Sequence, residues 1–599
     1  MTETTNISRG EIVTLSVEVE GSLIPEVNQV YSIKIEFEVN KISSAKIVIL
    51  DGDVSTVEFE ASSSKTFLPG NEISIKAGYD NENKLLFKGV ICEQNICVNG
   101  QIGSSLEVIC YDMAIKTTVG RKSKTFTDQK DSDVWRSIIG NYSGLSENIS
   151  STNLIYPQQV QYDTTDWDFI VSRAEANGFI VTTINGKISI QKPDTNTTSV
   201  LNIEYGNNLL ELHANLNAIN QLKTVKASSW DYGSQELVQK ETNNTYFGPG
   251  NLSSTKLSEV VGLSTFDLQS PAPIKNDELE NWNQAQLVKN NYSKIQGEVK
   301  CQGNSSVQIG NYITLSGVGS RFNGDHLVSK VVHDISEGNW TTECAIGLSE
   351  EWLSKQDNDK RMPPSNLPSG VNGLFTATVK RLDEDPESQF RILVDVPLFN
   401  TSSDGLWARY SSFYASNNSG AFFMPDIGDE VVVGFLNEDA RYPIILGSLY
   451  SNPKLKPSEG LNPNSNNTIK AIVSKSGIAI VFDDENQIFT IVTPNKNTVV
   501  FNDKEKQITI QDQNSNHIIM SPDGISLKSS KDISIASDAN VSIKAAQGIS
   551  LEAKEGDVNV EGVNIQHNAN VAFSAEGSAS ASLETAGVLT LKGAMVGIN

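Results

Sequence analysis

Between Gly524 and Leu551 the chain repeats itself every eight residues, and no other feature of the sequence restricts its fold so tightly. Four segments in succession read Gly524-Ile-Ser-Leu527, Asp532-Ile-Ser-Ile535, Asn540-Val-Ser-Ile543 and Gly548-Ile-Ser-Leu551. Each alternates apolar, small, apolar, the period-2 mark of a strand with one buried face. Two apolar side chains per unit cannot bury themselves, so the units must stack into a continuous core. The pattern runs on more loosely through Val558–Val560, Val563–Ile565, Val571–Phe573, Val588–Leu591 and Val596–Ile598. Upstream, Ile488–Ile491, Val499–Phe501 and Ile508–Ile510 read as its wider beginning. The spacing predicts a β-helix over 469–599.

A β-helix built from one chain usually needs about 20 or more residues per turn. Octads supply less: three of them make one thin triangular turn. Three intertwined chains fill the gaps that one chain leaves, so the expected state is an obligate homotrimer. Roughly 16 octads at about 4.7 Å per strand give a prism on the order of 75 Å long.

The rest of the chain is organised differently. Residues 371–452 form a strand-rich block: Phe375–Leu382, Phe390–Val396, Leu406–Tyr410, Glu430–Leu436 and Ile444–Gly447 suit a small closed barrel of the OB type. Residues 1–361 mix strands (Tyr31–Phe37, Ile73–Lys76, Leu86–Ile91) with helices expected at Ser132–Ile139 after a capping Thr127-Asp128, at 164–177 with its stop at Gly178, and near Asp277–Leu287. Pro-rich linkers occupy 362–370 and 453–468. The fold class expected is mainly β with an α+β N-terminal half containing two barrel-like subdomains, an OB barrel, and a trimeric triangular β-helix.

Composition excludes several functions. Lys plus Arg number 47 against 72 Asp plus Glu, a formal charge of −25. Nucleic-acid binding is driven by cationic side chains releasing counterions, so no nucleic-acid partner is expected. The five cysteines (Cys92, Cys97, Cys110, Cys301, Cys344) are an odd number without zinc spacing and read as reduced thiols. The N-terminus shows no basic start followed by an apolar run, so no signal peptide is expected and assembly is assigned to the cytoplasm.

The stretch Met424-Pro-Asp-Ile-Gly-Asp-Glu-Val-Val-Val-Gly-Phe-Leu-Asn-Glu-Asp-Ala-Arg-Tyr-Pro-Ile-Ile-Leu-Gly-Ser-Leu-Tyr450, with Arg391–Val396 and Trp407-Ala-Arg409, resembles the OB signature of VgrG proteins. These are the spikes of type VI secretion systems and relatives of contractile-phage hub and spike proteins. Phe67-Leu-Pro-Gly-Asn-Glu72, Leu86-Phe-Lys-Gly89, Asp166-Trp-Asp-Phe-Ile170, Asn177-Gly-Phe179, Gly324, His333 and Gly347-Leu348 look like the phage-hub half. The resemblance implies a homotrimer that caps a hexameric, Hcp-like tube and meets baseplate proteins. It further implies a PAAR-type tip protein, effector cargo, and passage through a target membrane on secretion. Only the linker 453–468 stands where some members carry a lysozyme insert, and the octads run to Asn599, so cargo carried by other proteins is expected.

Catalysis is not expected. The carboxylate runs Asp383-Glu384-Asp385 and Asp483-Asp484-Glu485 sit in turns between strands, and no nucleophile–base set has local support. His567 shares parity with Val563, Ile565, Val571 and Phe573, so threefold symmetry places three imidazoles on the needle axis. It is the candidate axial ion site, with His517 a lesser one; no other cofactor is expected. Leu591, Met595, Val596, Ile598 and Asn599 are the candidate seat for the tip protein. Two alternatives stay open: the spike of an extracellular contractile particle or phage tail, and a β-helical polysaccharide-degrading tailspike.

Overall fold

The computed structural model describes residues 12–100, 103–194, 198–231, 234–270, 274–353, 371–399, 405–451 and 455–598. The linker expected at 362–370 lies outside them, and that at 453–468 is described from Leu455. The chain divides into two compact units, one running to Val371 with Asn437–Ala440, the other holding the remainder.

Alternation of apolar and polar residues builds the first unit. In Val30–Glu38, Ile33, Ile35 and Phe37 are buried while Tyr31 and Lys34 face outward. The strand takes its place in a 13-stranded sheet. The hydrogen-bonded path runs Leu209–Leu216, Ile295–Gln302, Asn339–Ile346, Gly324–Ser336, Val30–Glu38, Ser44–Leu50, Gly103–Tyr111, Lys84–Asn99, Glu72–Tyr79, Val13–Val19, Ser22–Leu23. Its ends do not pair with each other. One core cluster, from Val17 through Phe67, Phe87 and Val108 to Cys344 and Ile346, fills the inner face. Cys110, Cys301 and Cys344 belong to it, and burial pushes their thiols up, Cys301 to about 12. All five cysteines are free.

Three helices longer than five residues pack in the same unit. Asp166–Ala176 is capped by Thr165, whose Oγ1 accepts from the Asp168 N–H at 3.0 Å. It stops at Gly178, which adopts φ +70° and donates to the Glu175 carbonyl at 2.8 Å. The start expected near Thr127-Asp128 is corrected: both lie in the strand Lys122–Lys130, and the helix Asp131–Ile139 begins after Lys130 without a side-chain cap. Asn276–Tyr292 outlasts its expected length by a full turn, because Tyr292 is buried against Tyr246 and Tyr312. No helix among the described residues is long and apolar enough to cross a membrane.

In the second unit, Phe375–Arg381, Ile392–Asp395, Leu406–Tyr410, Pro443–Ser448 and Glu430–Phe435 close into a barrel. Its core is Ala377, Val379, Ile392, Val394, Val396, Ala408, Val431, Val433 and Ile445. The strand expected from Phe390 starts two residues later: Phe390 has φ +58° and is 81% exposed. Asp385 imposes this turn by accepting from the Gln389 and Arg391 backbone N–H groups and from the Arg391 guanidinium.

Seven five-residue strands follow, Ile469–Val473, Ala479–Asp483, Ile488–Val492, Thr498–Asn502, Gln507–Gln511, His517–Ser521 and Gly524–Lys528. Each pairs antiparallel with the next, an up-and-down meander where the sequence reading has the wider beginning of a β-helix. From Ser530 to Ile598 every residue is exposed and no strand pairing forms within the chain.

Candidate functional site

The residues of the hub-like motifs are scaffold. Phe67 is wholly buried, and the Gly70 N–H donates to the Ile91 carbonyl at 2.8 Å. A Cβ on Gly347 would lie 2.3 Å from the Ile295 carbonyl oxygen, so only glycine lets the strands approach there. Asp166 accepts from Lys122, Tyr142 and Gln161 at 2.6–2.8 Å. His333 is 2% exposed, beside Thr342 Oγ1 at 3.0 Å and the Phe37 and Trp340 rings. Burial lowers its pKa to about 4, so the imidazole stays neutral at pH 7.

A cavity of about 810 Å³ opens in the first unit, lined in part by Asn40, Glu175, Lys289 and Glu351. Two of its charged side chains, Lys289 and Glu175, pair with each other. Lys289 Nζ donates to Glu175 Oε1 at 2.7 Å and to the Glu351 carbonyl at 2.6 Å, while Glu175 Oε2 accepts from the Leu353 N–H at 2.9 Å. Lys289 and Glu175 are thereby committed to structural contacts. A second buried pair, Arg173 bidentate to Asp131 at 2.8 and 2.9 Å with Asn177 on the same carboxylate, joins two helices.

The turn carboxylates behave as turn residues. Asp483 accepts from the Asn486 side chain and N–H, which hold its carboxyl below the usual range. Asp484 pairs with Lys470. Glu384 pairs with Arg381 at 2.7 Å, and the Arg391 guanidinium holds Asp385 well below the usual carboxylate range.

What the second unit offers is surface. Along the meander, Ile480 and Phe482 pair with Ile491 and Phe489, these with Val499 and Phe501, and these with Ile510 and Ile508. Ile518, Met520, Ile525 and Leu527 extend the same face. Two apolar side chains per strand therefore line one side, with Phe482, Phe489 and Phe501 in a ladder at 5.1 and 5.8 Å between ring centroids. Nothing among the described residues covers this face: Phe482, Ile510 and Met520 are 43, 43 and 39% exposed.

The sequence-derived site residues lie beyond it. Leu591, Met595, Val596 and Ile598 are all more than half exposed, and Asn599 falls outside the described residues. His567 is exposed and stacks on Phe573 at 6.0 Å. His517 is half-buried, its Nδ1 3.0 Å from the Ser515 carbonyl oxygen. Among the described residues no three His, Cys, Asp or Glu side chains of the chain converge on one point.

Comparison with known proteins divides the chain at the same places. The family described as the Alg8 N-terminal domain matches residues 9–337, and the type VI secretion system/phage-baseplate injector OB domain matches residues 375–450. The type VI secretion system spike proteins VgrG1a and VgrG1b of Pseudomonas aeruginosa are each 32% identical over 85 residues, 14% of this chain. The chain spans 13% and 12% of the length of these two relatives in that match. Among solved structures, the 43 kDa tail protein of prophage MuSo2 from Shewanella oneidensis aligns at 8% identity over 56% of this chain and 99% of its own, with a TM-score of 0.44. An Escherichia coli component of the type VI secretion system aligns at 13% identity over 72% and 99%, with a TM-score of 0.39. The Francisella PdpA–VgrG complex aligns at 9% identity over 88% and 81%, also at 0.39.

Proposed function

Because this chain belongs to the Alg8 N-terminal domain family and is a VgrG-like protein with an injector-type OB domain, we propose that it is the hub and spike of a contractile injection machine. Three copies join through their C-terminal parts into a needle. Their N-terminal units cap a hexameric inner tube and meet the baseplate, and the needle end carries a tip protein seated on Leu591, Met595, Val596, Ile598 and Asn599. The assembled spike is driven through a target membrane with effectors attached. Its work is mechanical: stiffness and interface geometry, with no bond made or broken.

One observation carries this reading. The meander presents a continuous apolar face that its own chain leaves uncovered, and the octads after it find no partner strand within the chain. Monomeric proteins rarely expose so large a contiguous apolar surface. Identical neighbours both cover the face and supply the missing strands. The mass of the full chain in solution tests it: three times 65.1 kDa is expected, and a monomer at micromolar concentration refutes it.

The same exposed face weighs against a polysaccharide-degrading tailspike. Between 521 and 599 the only Phe, Tyr or Trp in the sequence is Phe573, whereas a glycan-binding flank is built from many.

A further inference from the structure

The barrel displays a finger that its own core does not use. From Ser411 to Pro425 the sequence carries no charged residue, in a chain where 20% of residues are charged. Four aromatic side chains stand out from it: Phe413, Tyr414, Phe422 and Phe423 are 86, 54, 78 and 56% exposed. The finger is held rigidly. Ser411 N–H donates to the Ile445 carbonyl at 2.9 Å, and Met424 packs on the barrel core. Ala415–Ser416 pairs with Ser419–Gly420, Ala421 N–H donates to the Tyr414 carbonyl at 2.9 Å, and the Phe413 and Phe423 rings stack at 6.4 Å.

A preorganised aromatic surface loses little entropy on docking, which is the usual character of an interface anchor. On other loops of the same barrel, Phe390 and Leu398 are 81 and 84% exposed, Phe390 in a left-handed conformation that the Asp385 hydrogen bonds enforce. Large apolar side chains held out in solvent on one small barrel are surface that a partner can cover.

We propose that the finger docks on the barrel of a second copy of this chain, with Phe422 and Phe413 seated against the neighbour's Phe390 and Leu398. The inference rests on the trimeric reading above. Three lines favour a second copy. Rotational closure of three copies is head-to-tail, so every copy needs two different patches, a donor and a receiver, and the barrel has both. Copies each carrying −25 repel, so a contact between them favours an uncharged donor, as the finger is, and at the receiving Phe390 the Asp385 carboxylate is paired with Arg391. The needle that follows the barrel in the chain also brings the three barrels to high effective concentration.

The test uses the full chain with Cys92→Ser and Cys97→Ser, carrying Phe422→Cys alone or with Phe390→Cys. Mass, maleimide labelling and mild oxidation are measured on the assembled protein. The expected result is a trimeric mass, labelling of the introduced Phe422→Cys thiol at least tenfold slower than in denaturant, and an interchain disulfide only in the double variant. A trimer whose finger thiol labels as fast as in denaturant overturns the docking and leaves the trimer standing. A monomeric mass overturns both, and protection without the cross-link overturns the seat at Phe390. Co-sedimentation with phosphatidylcholine–phosphatidylglycerol vesicles that Phe422→Ser abolishes also overturns the proposal, assigning the finger to a membrane.

Discussion

Replacing Phe501 by lysine gives the sharpest test of the uncovered face. In the single chain Phe482, Ile491, Phe501, Ile510 and Met520 keep 43, 36, 39, 43 and 39% exposure. Complete burial of such a side chain is worth about 1.5–3 kcal/mol, so covering the remaining two-fifths contributes about 0.6–1.2 kcal/mol each. Five side chains in three copies then supply about 9–18 kcal/mol toward association. Phe501→Lys removes about 1 kcal/mol of this per chain. It also brings three ammonium groups together: at ~8 Å and an effective dielectric of about 20, each of the three pairs costs about 2 kcal/mol. The sum, about 9 kcal/mol, lowers the trimerisation constant by about six orders of magnitude. Light scattering across a dilution series should show a trimer for the native chain and a monomer for Phe501→Lys at micromolar concentration. Thr509→Lys, on the opposite face of the adjacent strand, is the control and should stay trimeric. A Phe501→Lys protein that keeps the native mass and denaturation midpoint refutes the reasoning.

Three further outcomes are expected. Deleting 591–599 should leave the trimer intact and abolish co-purification with the tip protein; undiminished co-purification counts against the seat at Leu591, Met595, Val596 and Ile598. If the three copies of His567 surround an ion, elemental analysis of the purified trimer should find metal that His567→Ala loses, and metal-free samples of both end the idea. His333, buried neutral with its pKa lowered to about 4 against an unfolded value of 6.5, contributes stability that is complete above pH 6.5 and lost as pH falls toward 4. Urea midpoints across that window should fall for the native chain and fall less for His333→Gln.

Of the four octads only Gly524–Lys528 forms a strand in the single chain; apolar–small–apolar spacing says strand, and two side chains per unit say that the unit is incomplete, so the pairing of the other three was never written in one chain alone. The five-stranded barrel was legible because its buried positions Val379, Val394, Val431 and Val433 alternate within single strands. The meander was misread at its beginning. Phe489 and Ile491 have the same period whether the next strand pairs antiparallel or stacks as a coil, and only the turns decide. The tight turn through Asp483, Asn486 and Gln487, the last at φ +56°, makes the antiparallel choice. Phe390 looked like the first residue of a strand because the carboxylate that pulls it out of the ladder, Asp385, lies in the preceding turn. The finger escaped notice because an uncharged run with aromatics reads as core until the barrel is seen to close without it.

The meander also answers a problem that repetition creates. Octads of nearly identical sequence can pair after a slip of eight residues at almost no loss, so three such chains left to themselves would align in many phases. Strands such as Phe482–Phe489–Phe501 and Ile510–Ile518–Leu527 do not repeat one another, and each needs only its sequence neighbour to form. Local pairing of this kind forms quickly and within one chain. The non-repeating strands therefore act as a phase marker, setting three chains level before the repeats that cannot tell one turn from the next begin to wind.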